Sequence, residues 1–221
     1  MGINALELGW VRSVRVSPKT CEEIKKTAEE RLIDAAMFGS LAGATDVVFH
    51  PGSYGNNSQK ALAIALSRLG EVVDFIHAQV IKICLRPETM GRSALLGSLV
   101  DVVNISKKIN GVEPCLDFAH LFTRDGNGHL NHREAWVEIL EFIQKELSAD
   151  ALQYLHIHLS GIAYTDKGEK EHLSVKDSPL DVKEIFIALK DMNAMGRILC
   201  ESPLLEEDAL YLKDLWESII L

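Results

Sequence analysis

Residues 114–120 read Pro114-Cys115-Leu116-Asp117-Phe118-Ala119-His120, a short apolar run that closes on an acid and then an imidazole. A short, mostly apolar stretch behind a proline has the length and flanks of a buried strand, predicted over 114–118. Its Asp and His would be costly in a core, so they belong at the strand's end. A helical pattern follows from about His132 to Leu147. Working outward, the same unit recurs. Ala5-Leu6-Glu7-Leu8 precedes a helix from Pro18 to Ala42, with apolar positions at Cys21, Ile24, Ala28, Leu32, Ala36 and Leu41. Val47-Val48-Phe49 precedes Ser58–Ala78, and Ile81–Leu85 precedes Ser93–Lys108. Tyr154–Leu159 precedes Leu180–Met192, and Ile198-Leu199-Cys200 precedes Glu206–Ile219. Gly43, Gly70, Gly111 and Gly196 are the expected helix stops. Strands alternating with helices specify β/α units and a parallel sheet. About six units are present, whereas a closed barrel has eight. A six-stranded doubly wound sheet would normally carry a glycine-rich phosphate loop. The sequence has neither GxGxxG nor a Walker pattern.

The strand ends carry the functional signal. His50 follows Val47–Phe49, Glu88 follows Ile81–Leu85, and Asp117 and His120 close the central strand. His156 and His158 share one face of their strand, because strand side chains repeat every two residues. Glu201 follows Ile198–Cys200. Five consecutive strands thus deliver a His or carboxylate at the C-terminal end. In parallel β/α folds those ends form one rim, where active sites lie. One such residue alone is ordinarily a helix cap or a solvated group; His156 reads as packed or supporting, and His77, within a helix, as structural. Five in succession, converging, call for a cation to neutralise them. Mixed N/O donors suit Zn2+, Mn2+ or Fe. Thr123–Glu134 imitates a calcium loop, but its first position is Thr and a strand rather than a helix precedes it.

The chain has 221 residues, 23 basic and 32 acidic, for a net charge of -9. At 47% apolar it can bury a sizeable core, and one domain over residues 1–221 is the expectation. The acidic total excludes a basic nucleic-acid coating protein, though not a nucleic-acid enzyme whose local positive charge comes from metal. No run reaches the ~18 apolar residues of a membrane helix, and no leader opens the chain. Four scattered Cys with no CxxC fit a reducing, cytoplasmic setting.

Taken together, His50-Pro51-Gly52-Ser53, Pro87-Glu88-Thr89-Met90-Gly91, Cys115–His120, His158-Leu159-Ser160-Gly161, Glu171-His172-Leu173 and Cys200-Glu201-Ser202-Pro203 resemble the endonuclease IV family in its archaeal form. These are apurinic/apyrimidinic-site DNA endonucleases among the xylose-isomerase-like TIM barrels. The resemblance runs from the first strand to the C-terminus. It implies zinc-dependent hydrolysis of the phosphodiester 5′ to an abasic site, leaving a 3′-hydroxyl. It also implies two or three Zn2+ ions, with Mn2+ as the alternative. Glu88 would bridge two ions, with His50 on one of them; Asp117, His158 and Glu201 would complete the coordination of the second ion; His120 and His172 would hold the third. Glu88 and Glu201 are the residues whose loss should abolish cleavage. Abasic DNA is the implied partner, and Arg12, Arg15, Tyr54 and Arg124 lie near strand ends where they could touch phosphates, although an exposed Arg is more often plain surface.

Three departures accompany the resemblance, two of them missing strands. The family has a barrel strand before the segment resembling Gly2–Leu8, and another, carrying a ligand His, between Ala28-Glu29-Glu30 and Leu32–Ala36. The first has no counterpart here, and the second is replaced by one continuous helical stretch. A TIM barrel lacking about two of eight strands is therefore expected, with the first ion site short of one His. At the third site the usual carboxylate, two residues before His172, is Lys170, leaving Glu169 or Glu171 to substitute. Glu88, Asp117, His158 and Glu201 also match the single-metal set of the superfamily's sugar isomerases and epimerases, the alternative reading. An inactive metal-binding remnant is the third.

Overall fold

The computed structural model describes residues 5–7, 21–124, 126 and 128–220. Arg12 and Arg15 lie outside the described residues. The elements run β1 (Ala5–Glu7), α1 (Cys21–Leu41), β2 (Asp46–Phe49), α2 (Ser58–Ala78), β3 (Cys84–Pro87), α3 (Leu99–Lys108), β4 (Cys115–Asp117), α4 (Phe118–Thr123) and α5 (Arg133–Glu146). They continue as β5 (Leu155–Leu159), β6 (Gly161–Thr165), β7 (Gly168–Leu173), α6 (Val182–Asp191), β8 (Gly196–Cys200) and α7 (Glu206–Ile220).

Two parallel sheets, β1-β2-β3 and β4-β5-β8, are joined by the bridges Leu85↔Val112 and Glu88↔Cys115. Among the described residues six parallel strands therefore follow one another in chain order, the arrangement of a TIM barrel. The sheet curls strongly. β2 and β8 are four strands apart, roughly 19 Å in a flat sheet, yet Arg197 of β8 stands 3.1 Å from Asp46 of β2. The outer helices cover the sheet through two apolar clusters. One centres on Trp136, Phe118, Phe122 and Phe186, and the other on Val47, Val72, Ile76 and Leu85. Each such enclosed side chain contributes about 1.5–3 kcal/mol. Helix α1 crosses the place where the family has a strand without interruption.

Several expected boundaries move for identifiable reasons. Helix α3 begins at Leu99, not Ser93, because Ser98 and Asp101 form a reciprocal capping box. Strand β3 starts at Cys84, whose N–H reaches Thr45 O opposite the start of β2, so residues 81–83 stay outside the ladder. Phe118 leaves β4 for helix α4, since the Asp117 carboxylate accepts the His120 N–H and caps it. Gly70 lies inside α2 and stops nothing. Burial of Leu69, Val72, Val73 and Ile76 outweighs its propensity cost of ~1 kcal/mol. Gly43 and Gly111 do follow helices with positive φ, as expected of helix stops.

The antiparallel hairpin β6–β7 has no counterpart among the strands expected from periodicity. Strand β7 is polar, and Lys170 forms a bulge in it: Ala163 faces Glu171 while Tyr164 faces Glu169. One extra residue breaks the period-two alternation by which a strand is recognised.

Candidate metal centre

Strands β2, β3, β4, β5 and β8 each present an inward side chain at their C-terminal end, or the residue just after it, at the same rim. Glu88, Asp117, His158 and Glu201 each offer a ligand atom within 4.8 Å of the others. His158 Nδ1 lies 3.0 Å from Glu88 Oε1 and 3.2 Å from Glu201 Oε1. His50 Nε2 adds a contact of 3.0 Å to Glu88 Oε2. A second donor group, Asp117, His120 and His172, shares Asp117 with the first. All seven residues expected from the sequence therefore converge.

The imidazoles are oriented by the backbone. His120 Nδ1 lies 2.9 Å from Thr89 O, and His172 Nδ1 lies 3.1 Å from Glu201 O. A carbonyl can only accept, so each Nδ1 carries a proton, and in the neutral ring Nε2 has the lone pair that a metal ligand requires. Thr89, fully buried, also joins β3 to β4. Its Oγ1 donates to Asp117 O at 3.1 Å and accepts from Asp117 N at 2.8 Å.

Glu169 is drawn into the group. Its Oε2 stands 3.4 Å from His120 Nε2, on the same face of β7 as His172 because of the Lys170 bulge. Glu171 instead pairs with Lys170 at 2.9 Å, and both are exposed. Of the two carboxylates near the departed family position, the fold selects Glu169.

Burial would raise the Glu88 carboxyl, but its bonds to His158 and His50 and the nearby His120 hold it well below the usual carboxylate range. Asp117 moves the other way: complete burial, reinforced by Glu88, pushes it up despite His120 and His158. His120 is raised: burial opposes its charged form, but Asp117, Glu88 and Glu169 outweigh that. Carboxylates pressed together in an enclosed space are tolerable when a divalent cation shares them. Asp117 Oδ2 is buried without a hydrogen bond, consistent with a ligand atom. By donor set, orientation and charge, the residues fit metal ions.

Tyr54 and Arg124 serve the scaffold. Tyr54 donates to Asp101, and Arg124 donates to the carbonyls of Met90, Arg92 and Leu95 while lying over the Tyr54 ring. The Arg124 guanidinium, named from the sequence as a candidate phosphate contact, is held by the carbonyls of the 90–95 loop.

The sequence profile of xylose isomerase-like TIM barrels matches residues 22–215. An uncharacterized protein of Methanocaldococcus jannaschii is 33% identical over 199 residues, covering 90% of this chain and 72% of that protein. A D-tagatose 3-epimerase-like protein of known structure aligns with a TM-score of 0.71 at 21% identity, over 98% of this chain and 76% of that one. The TTHB071 protein of Thermus thermophilus, soaked with ZnCl2, aligns with a TM-score of 0.63 at 17% identity, over 97% and 78%. At these identities the structural likeness concerns the fold.

Proposed function

This chain belongs to the xylose isomerase-like TIM-barrel family, and on that premise we propose that it is a multi-metal phosphodiesterase acting on DNA at abasic sites. The observation that carries the reading is the sharing of Asp117 between two adjacent donor groups. Adjacent ion sites joined by a carboxylate suit phosphodiester hydrolysis, which must stabilise both the attacking and the leaving oxygen. Ions held there would supply Lewis acidity and positive charge where the phosphate binds. The protein's own residues hold that arrangement. Glu88 keeps its negative charge within the first group, with His50 and His158 on its two oxygens. Asp117 fixes the start of α4 and so the position of His120. The Glu201 backbone carbonyl orients His172, coupling β8 to the hairpin. The acidic surface then needs no basic groove, since attraction for phosphate resides in the ions.

A second reading is favoured by the compact Glu88–Asp117–His158–Glu201 set and by the recurrence of ketose 3-epimerases among structures of similar fold. There Glu88 and Glu201 would move protons beside one ion. One experiment separates the two: elemental analysis of purified protein together with incision of an abasic duplex, with and without chelator. Two or more ions per chain and chelator-sensitive incision are expected. One ion per chain, no incision, and solvent-proton exchange into a ketose would overturn the nuclease reading.

A further inference from the structure

The strands that carry the rim ligands also carry polar side chains one tier deeper on the same face. Cys115 lies two residues before Asp117, and His156 two before His158. In the parallel ladder Cys115 is the partner of His156, just as Asp117 is of His158, so the deeper pair stands side by side. Cys115, His156 and His158 each offer a ligand atom within 4.8 Å of the other two, and all three are fully enclosed.

His156 is the anomaly. Both of its ring nitrogens are buried without a hydrogen-bond partner. Each unmet nitrogen carries a cost comparable to a lost hydrogen bond, and native proteins rarely leave one so. The neighbouring cations do not serve it. Arg86 is engaged with Asp46, Glu113, Pro114 O and Tyr154 O. Arg197 turns to Asp46 and Thr45. The His158 ring lies 5.4 Å away at 62°.

We propose that Cys115, His156 and His158 form a thiophilic metal site beneath the rim, taking a soft ion of low coordination number, Zn2+ or Cu+. One thiolate and two imidazoles are donors such ions prefer. Binding displaces the Cys115 thiol proton to solvent. The local charge permits a cation, because Asp46 and Glu113 offset Arg86 and Arg197 while Glu88, Asp117 and Glu201 lie on the rim side. His158 Nδ1 faces Glu88 and Glu201, so the ring can serve both tiers, one nitrogen to each. The ion would pin β4 to β5 directly below the rim.

Cobalt titration of the metal-stripped full chain tests this site. A thiolate-to-cobalt charge-transfer absorption in the near ultraviolet should appear in the wild type and in Glu201→Gln, and vanish in Cys115→Ser. His156→Leu guards against misfolding of the Cys variant, since an apolar side chain relieves the unmet nitrogens; its cobalt affinity at this band should fall at least about tenfold. No thiolate band in the wild type, or an undiminished band in folded Cys115→Ser or His156→Leu, would overturn the proposal. The rim reading is scored separately, by ion loss in Glu201→Gln.

Discussion

The Glu169 carboxylate stands 3.4 Å from His120 Nε2, across the gap between hairpin strand β7 and helix α4. That contact exists because Lys170 bulges out of the ladder and turns Glu169 to the face of His172. In the proposed nuclease, Glu169 completes the donor group that Lys170 cannot. Glu169→Gln should therefore lower the bound metal by one ion per chain and weaken affinity at least about tenfold, the loss expected for a disturbed metal shell. Glu171→Gln, whose carboxylate faces Lys170, should leave both unchanged. Isothermal titration with Zn2+ on the two variants decides between them.

Thr89 supports the site without belonging to it. Thr89→Val keeps the volume but leaves the Asp117 N–H without its side-chain partner, at a cost of about 1–3 kcal/mol. Asp117 would also lose its fixed position, and metal affinity should fall roughly 10–100-fold. Urea denaturation and metal titration on one preparation measure both effects. A wild-type ion affinity in Thr89→Val would show that the tie is incidental.

The hairpin is seated against the 90–92 loop. Glu169 N–H donates to Gly91 O at 3.0 Å, and Arg92 Nε donates to Glu169 O at 3.0 Å. A Cβ at Gly168 would collide with Gly91 O, and the residue holds a φ of +95°. Gly168→Ala should cost about 1–3 kcal/mol by overpacking and displace Glu169 and His172. Glu88, Asp117, His158 and Glu201 lie on or just beyond the parallel strands, so that group should keep its ion. Elemental analysis should then show a partial, not complete, loss of metal.

Below the rim, Asp46 is buried against Arg86 and also meets Arg197. Burial would raise its carboxyl, but Arg86 and the Thr45 hydroxyl lower it below the ordinary value of 3.8. A carboxylate lowered in the folded state contributes stability that is complete above its unfolded value and fades as pH falls through the folded one. Asp46→Asn should destabilise the protein at pH 7 by about 3–5 kcal/mol, chiefly by leaving the Arg86 charge buried with less compensation. The gap between variant and wild type should narrow steadily below about pH 4, the ordinary carboxylate range. Chemical denaturation at neutral and acid pH checks the sign.

The alternation of apolar runs with helical stretches determined the parallel β/α fold, because burial on both sides of a strand leaves a signature in every unit. The rim was legible for a related reason: polar residues that end apolar strands in successive units are costly unless those ends gather around a cation. Thus Glu88, Asp117, His158 and Glu201 stand out along the chain without any knowledge of their contacts. Only the tertiary structure decided between Glu169 and Glu171, since a bulge is a property of pairing between strands and leaves no period behind. Only it turned Arg124 from a candidate phosphate contact into a loop support, because carbonyls brought near by folding are invisible along the chain. And only the ladder register set Cys115 beside His156, for sequence fixes which face a side chain takes, while its neighbour on the next strand is chosen by how the sheet assembles.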